Sequence, residues 1–170
     1  MKIGFVGLGK LGLPTALAID YVGHDVAGFD EDPLRGKFNV DLQDEKGPNG
    51  KPLKETLEKS NLKYGTLDDV AAHGDIIFVA VQTPHEPEYE GITRVPEEKK
   101  DFIYTWLAAA VSSIRASLNR ANREAVVAII STVLPGTVRD RILPRLDTLD
   151  RVSVVYNPSL IAMGSVVQDF

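Results

Sequence analysis

The chain opens on an apolar run of strand length, Lys2-Ile3-Gly4-Phe5-Val6, and passes at once into Gly7-Leu8-Gly9-Lys10-Leu11-Gly12. Beyond the glycines, Leu13-Pro14-Thr15-Ala16-Leu17-Ala18-Ile19 places helix formers on a helical period, with Pro14 in the first turn, where its missing N–H costs little. Short Val- and Ile-rich runs recur at residues 25–29, 61–64, 75–81, 125–130 and 152–156 and predict five further strands. Helical patterns separate them. The clearest covers residues 97–118, where Ile103, Leu107, Ala110, Val111, Ile114 and Leu118 form one stripe, and Phe102 and Trp106 beside it read as core. A second predicted helix covers 137–149, capped by Thr137 and strained or ended near Pro144, and a short one covers 53–60. Residues 44–52, around Gly47-Pro48-Asn49-Gly50, read as a mobile surface loop.

A β-then-α order repeated about six times predicts an α/β fold: a Rossmann-type, doubly wound, mostly parallel six-stranded sheet with helices on both faces. In such a sheet ligands sit at the carboxyl ends of the strands, so the segments that follow the strands become the candidate chemistry.

Gly7, Gly9 and Gly12 carry the G-x-G-x-x-G spacing. The three glycines serve a sharp turn, close approach of backbone to a pyrophosphate, and tight packing of helix on strand. The second strand ends at Asp30, about twenty residues beyond the turn, where a dinucleotide fold places the carboxylate that accepts from a ribose hydroxyl. The bland alternative is a glycine bend with a capping aspartate. Asp30, Glu31 and Asp32 would meet a 2′-phosphate with like charge, and one such pair at roughly 4 Å and an effective dielectric of about 20 costs about 4 kcal/mol. NAD is therefore the expected cofactor rather than NADP, with Arg35 the one nearby group able to reverse the preference.

Three polar segments follow the later strands: Gln82-Thr83-Pro84, Ser131-Thr132-Val133-Leu134-Pro135-Gly136-Thr137 and Asn157-Pro158-Ser159. All three are expected to face the cofactor. His85, Glu86 and Glu88 sit in a Pro-rich stretch without metal-ligand spacing and read as solvated side chains, so no metal is expected. His24 and His73 show no evident partner and are assigned no chemistry.

Bulk properties narrow the classes. A chain of 170 residues with 44% hydrophobic and 25% charged content makes one ordinary domain, and no apolar stretch approaches a membrane span. The N-terminus enters a strand directly, so no signal peptide is expected, and cytoplasmic residence is the default. With no cysteine, these residues hold no disulfide, thiolate metal site or cysteine nucleophile. A net charge of −5 argues against a nucleic-acid partner. An anionic cofactor remains compatible with it, because the N–H groups at a helix N-terminus bind phosphate whatever the overall sign. Lys10 either adds to that field or is a solvated lysine.

Taken in order, Gly7-Leu8-Gly9-Lys10-Leu11-Gly12-Leu13-Pro14, Val81-Gln82-Thr83-Pro84, Ser131 to Thr137 and Tyr156-Asn157-Pro158 with Gly164 and Asp169-Phe170 resemble the N-terminal NAD-binding domain of the UDP-glucose/GDP-mannose dehydrogenase family. The resemblance spans the chain. It implies NAD-dependent, two-step oxidation of a nucleotide-sugar C6 alcohol to a carboxylate through a thioester. It places Gly7, Gly9, Lys10, Leu11 and Gly12 at the pyrophosphate, Asp30 at the adenine ribose, and Val81, Thr83, Pro84, Ser131 and Thr132 along the cofactor. Thr132 matches the family threonine beside the nicotinamide that helps orient the hydrolytic water, a role needing a hydroxyl that both donates and accepts.

Two departures qualify the resemblance. Where the family carries acids in its Asn-Pro-Glu-Phe-Leu-x-Glu-Gly segment, this chain has Ser159 and Met163. A serine hydroxyl without a base stays protonated, and lost acid–base help typically costs roughly 10²–10⁴-fold in rate. The family's nucleophilic cysteine and catalytic lysine lie in later, substrate-binding domains that these residues do not include. The expectation is a domain that binds NAD and does not catalyse alone, joined to a nucleotide-sugar substrate only through such later domains, free of nucleic acid and membrane, and able to form a homodimer. The alternatives are a β-hydroxyacid dehydrogenase-like NAD domain and a non-catalytic dinucleotide-binding or sensor module.

Overall fold

The structure, a computed structural model, describes residues 1–32, 42–145, 151–162 and 164–170. Arg35 and Met163 therefore lie outside the described residues, as does the end of the helix expected over 137–149.

Six parallel strands form one sheet in the order β3-β2-β1-β4-β5-β6. They are β1 (Lys2–Val6), β2 (Asp25–Phe29), β3 (Lys63–Tyr64), β4 (Ile76–Val79), β5 (Ala125–Ile129) and β6 (Val152–Tyr156). The helices are α1 (Gly12–Tyr21), α2 (Leu53–Lys59), α3 (Leu67–His73), α4 (Thr105–Ala121) and α5 (Val166–Asp169). The doubly wound expectation holds, and strand alternation explains how both faces become buried. In β1, Phe5 faces one core with Leu8, Leu13, Leu17 and Val26, while Val6 faces another with Ile77, Val79, Val127 and Ile129. Phe5 stacks on Phe78 of the neighbouring strand, ring centroids 5.1 Å apart.

Helix α1 is buried on nearly every side, from Gly12 through Leu17 and at Ile19, which suits a helix wedged between sheet and outer helices. Helix α4 is amphipathic instead. Leu107, Val111, Ile114 and Leu118 are fully buried, each contributing about 1.5–3 kcal/mol of burial. The helix ends where Asn122 takes a left-handed conformation, φ 51°, and turns its N–H back to the last carbonyls.

Several elements differ from expectation. Helix α4 begins at Thr105, not 97, because Ile103 N–H donates to Pro84 O at 2.7 Å and Asp101 captures Phe102 N–H at 2.8 Å. That backbone is committed to cross-links rather than to a helical ladder. Ile103 consequently leaves the buried stripe, and Trp106, expected in the core, is 55% exposed. The helix expected from 137 becomes a π-turn over Val138–Ile142 followed by a 3-10 turn over Leu143–Arg145. Pro144 has no N–H for an α-helical bond, and Thr137 makes no side-chain cap. The strand expected over 61–64 reduces to Lys63–Tyr64, and that over 75–81 to Ile76–Val79.

Helices α3 and α5 were not legible in the pattern. Helix α3 is set by a capping box in which Thr66 and Asp69 exchange side-chain and backbone bonds. His73 has a partner after all: its Nε2 lies 2.9 Å from Asp25 O. Residues 44–52, expected as a mobile loop, are pinned by a Lys46–Pro52 bridge, with Glu45 only 3% exposed.

Candidate functional site

The glycine turn leaves the carboxyl end of β1 beside the point where strand order reverses, with β2 on one side and β4 on the other. Gly7 has φ 94°, and a Cβ there would stand 2.5 Å from Ala80 O, so only glycine lets the turn nest against the end of β4. A Cβ on Gly12 would lie 1.9 Å from Gly7 O, which is how closely α1 approaches the turn. Backbone bonds brace the turn from both neighbours: Gly7 N–H donates to Phe29 O at 2.9 Å, and Ala80 N–H to Val6 O at 2.8 Å.

Asp30, expected to accept from a ribose, follows β2 and is tied into the glycine turn. One carboxylate oxygen accepts from Leu8 N–H at 2.7 Å, and the other accepts from Asp32 N–H at 2.9 Å. A carboxylate offers about four acceptor positions, so both bonds leave capacity for a ribose hydroxyl. Among the described residues no acceptor pairs with the backbone N–H of Gly9 or Leu11. A turn that cannot admit side chains, with amides left for an external acceptor at a helix N-terminus, fits a dinucleotide pyrophosphate. Lys10 is exposed at the rim of this turn.

The segments after β4, β5 and β6 come together at the same sheet edge. Thr83 Oγ1 donates to Thr132 O at 2.7 Å, and the buried Ser131 hydroxyl donates to Val81 O at 2.7 Å. Ser131 thus spends its hydroxyl joining the strand ends, while Thr132 is exposed. Pro84 O holds Ile103, and Asn157 N–H donates to Ile129 O at 2.9 Å. Tyr104 reaches beneath residues 131–137 and bonds Leu134 N–H and Thr137 Oγ1. Burial, joined by the Asp101 carboxylate, holds the Tyr104 phenol above the ordinary tyrosine value. Nothing in the sequence singled out Tyr104, because the apolar period around it reads as helix.

Ser159 is partly exposed beyond Asn157-Pro158. The residues after it fold on Asp169, whose carboxylate accepts from Ala162 N–H at 3.0 Å and Ser165 Oγ at 2.7 Å. Both bonds hold the Asp169 carboxyl below the usual range. This segment is docked by Glu45, which the sequence pattern placed in a loop, and whose Oε1 accepts from Val167 N–H at 3.2 Å.

The His85-Glu86-Pro87-Glu88 stretch is organised by Lys100, which pairs with Glu86 at 2.7 Å and Glu88 at 3.3 Å. An open cleft of about 650 Å³, lined by Asp75, Glu124, Arg151 and Ser153, lies at the opposite, amino-terminal edge of the sheet. It has neither a glycine turn nor a helix N-terminus.

Known proteins share this fold. The model of the UDP-glucose/GDP-mannose dehydrogenase family, NAD binding domain, matches residues 1–170. A UDP-glucose 6-dehydrogenase of Rhizobium meliloti is 32% identical over 178 residues, covering 100% of this chain and 37% of the relative. A UDP-N-acetyl-D-mannosamine dehydrogenase of Methanocaldococcus jannaschii is 31% identical over 170 residues, covering 99% and 36%. The solved GDP-mannose dehydrogenase of Pseudomonas aeruginosa superposes with a TM-score of 0.77 at 23% identity, covering 99% of this chain and 38% of that one, a likeness of fold. The chain spans little more than a third of the length of the curated relatives it matches. Because the family model matches the whole of residues 1–170, the chain belongs to the UDP-glucose/GDP-mannose dehydrogenase family as its NAD-binding domain.

Proposed function

We propose that residues 1–170 bind NAD and act as the cofactor domain of an oxidoreductase that converts the C6 alcohol of a nucleotide sugar to a carboxylate. The observation that carries this reading is the glycine turn braced between β2 and β4, with Asp30 fixed beside it by Leu8 N–H. In this reading the amides of Gly9 and Leu11 and the N-terminus of α1 receive the pyrophosphate. Asp30 accepts from the adenine ribose and, with Glu31 and Asp32, disfavours a 2′-phosphate. Val81, Thr83, Pro84, Ser131 and Thr132 form the edge along which the nicotinamide half lies.

NAD bound there supplies the hydride acceptor. Thr132 contributes a hydroxyl able to donate to and accept from a water at that edge. Ser159 stands where the resembled family carries an acid, and its hydroxyl cannot perform a carboxylate's proton transfer. Together with the lack of a cysteine, this makes these residues a binding domain whose turnover depends on groups supplied elsewhere.

Calorimetric titration of NAD and NADP against the wild type and Gly9→Val tests the reading. NAD should bind more tightly than NADP, and Gly9→Val should abolish the binding while leaving thermal unfolding cooperative. Tighter NADP binding, or NAD binding unchanged in Gly9→Val, refutes it.

A further inference from the structure

Two phenols bond the loop that carries Thr132: the Tyr156 hydroxyl donates to Val133 O at 3.4 Å, and Tyr104 holds the far side at Leu134 and Thr137. Tyr104 stands immediately before α4 and is 9% exposed. Its hydroxyl donates to Asp101 Oδ1 at 2.5 Å and accepts from Leu134 N–H and Thr137 Oγ1, both at 3.2 Å. That uses the full hydrogen-bonding capacity of a tyrosine. Asp101 is fixed in turn. Its Oδ1 also accepts from Phe102 N–H at 2.8 Å, and its Oδ2 faces Arg141, on the turn after the same loop, at 3.8 Å.

Among the described residues, the side-chain bonds to residues 134–137 come from Tyr104, beside a backbone turn in which Thr137 N–H donates to Leu134 O at 3.1 Å. Leu134 and Pro135 are exposed and Gly136 has φ 88°, so between the buried Val133 and Thr137 the backbone has few apolar contacts. Ser131 and Thr83 secure only its beginning, through Val81 O and the carbonyl of Thr132.

We propose that Tyr104 is a positioning residue of the cofactor edge. By fixing Leu134 and Thr137 it sets where Thr132 stands against the nicotinamide half of a bound dinucleotide, an inference that rests on the NAD-binding reading above. Without the phenol, the buried Thr137 hydroxyl loses its partner, and the loop must shift to satisfy it. In a doubly wound sheet one mononucleotide half belongs to β1–β3 and the other to β4–β6, so this shift disturbs one end of the cofactor only.

The test is titration of the full chain with NAD and, separately, with ADP, which carries the adenosine and pyrophosphate but no nicotinamide. Tyr104→Phe keeps the ring and its edge contact with Phe102, and removes only the hydroxyl. It should weaken NAD on the order of tenfold, while ADP affinity changes less than about twofold. Equal weakening of both ligands marks a general loosening of the fold and overturns the assignment, as does unchanged NAD affinity. Wild-type protein that fails to bind NAD overturns the NAD reading itself, and the inference with it. If Tyr104→Phe does not fold, Thr137→Val removes one bond of the set and should show the same selective loss. Equal loss, or none, in that variant also overturns the inference.

Discussion

The Asp30 carboxylate accepts the backbone N–H of Leu8 at 2.7 Å, so the acid at the end of β2 helps to shape the glycine turn at the end of β1. In the proposed NAD-binding reading one side chain therefore serves two ends, bracing the glycine turn and presenting acceptors for a sugar hydroxyl. The two roles separate by substitution. Asp30→Asn keeps an acceptor for Leu8 N–H and should unfold near the wild-type temperature, while its preference for NAD over NADP shrinks. Asp30→Ala loses a charge-assisted bond of about 1.5–3 kcal/mol and should lower both stability and NAD affinity. Equal unfolding temperatures for Ala and Asn would show that the bond to Leu8 contributes nothing.

Gly12 and Gly9 are tested by different readouts. A Cβ on Gly12 meets Gly7 O at 1.9 Å, so Gly12→Ala forces α1 away from the turn at a cost of roughly 1–3 kcal/mol or more. Chemical denaturation should register it without any ligand. Gly9→Val, by contrast, should lose the thermal shift produced by NAD, because its side chain would stand over the amides proposed to receive the pyrophosphate.

The buried Glu45 ties the 164–170 segment to the loop before α2 through Val167 N–H, with Gln168 Nε2 donating to Lys46 O alongside at 3.3 Å. Glu45→Ala leaves that N–H without its acceptor and should cost about 1–3 kcal/mol. Hydrogen exchange over residues 164–170 should accelerate selectively, with ADP affinity unchanged. Uniform acceleration across the sheet would contradict a local clasp.

Acid sensitivity should concentrate at the carboxylates around the first strands and α3. The Lys63 ammonium, 2.6 Å from Asp25, holds that carboxyl below its ordinary value, with His73 and Lys2 assisting. Asp68 and Asp69 are lowered by hydrogen bonds from Ser117 with Arg120 and from Thr66. A carboxyl with a depressed folded pKa contributes stability above its unfolded value, about 3.9 for Asp, and loses it as pH falls through the folded value. Melting temperature should thus drop below about pH 4, and Lys63→Met should flatten part of that drop. An identical acid limb in the variant would remove Asp25 from the account.

The strands and the glycine turn were readable because their signals are local. The β1 and β2 runs, the G-x-G-x-x-G spacing and the position of Asp30 need no knowledge of distant residues. Helix α3 carried a local signal too, Thr66 and Asp69 at capping-box spacing, but it is too short for its period to stand out. The start of α4 departs from the sequence pattern for another reason. Phe102 and Ile103 continue the helical period, yet Pro84 O, far away in the chain, takes the Ile103 N–H. With the helix starting later, Trp106, on the same period, stays outside the core.

Apolar runs, helical periods and obligatory glycines were enough to set the doubly wound architecture and the edge at which a phosphate would bind, because backbone hydrogen bonding and burial impose the same solutions on any such pattern. How that edge is held was decided only in three dimensions. Tyr104 under Thr137, Glu45 at Val167 and Thr83 on the carbonyl of Thr132 each join residues separated by many positions, and a hydrogen bond depends on an approach of about 3 Å that spacing in sequence does not encode.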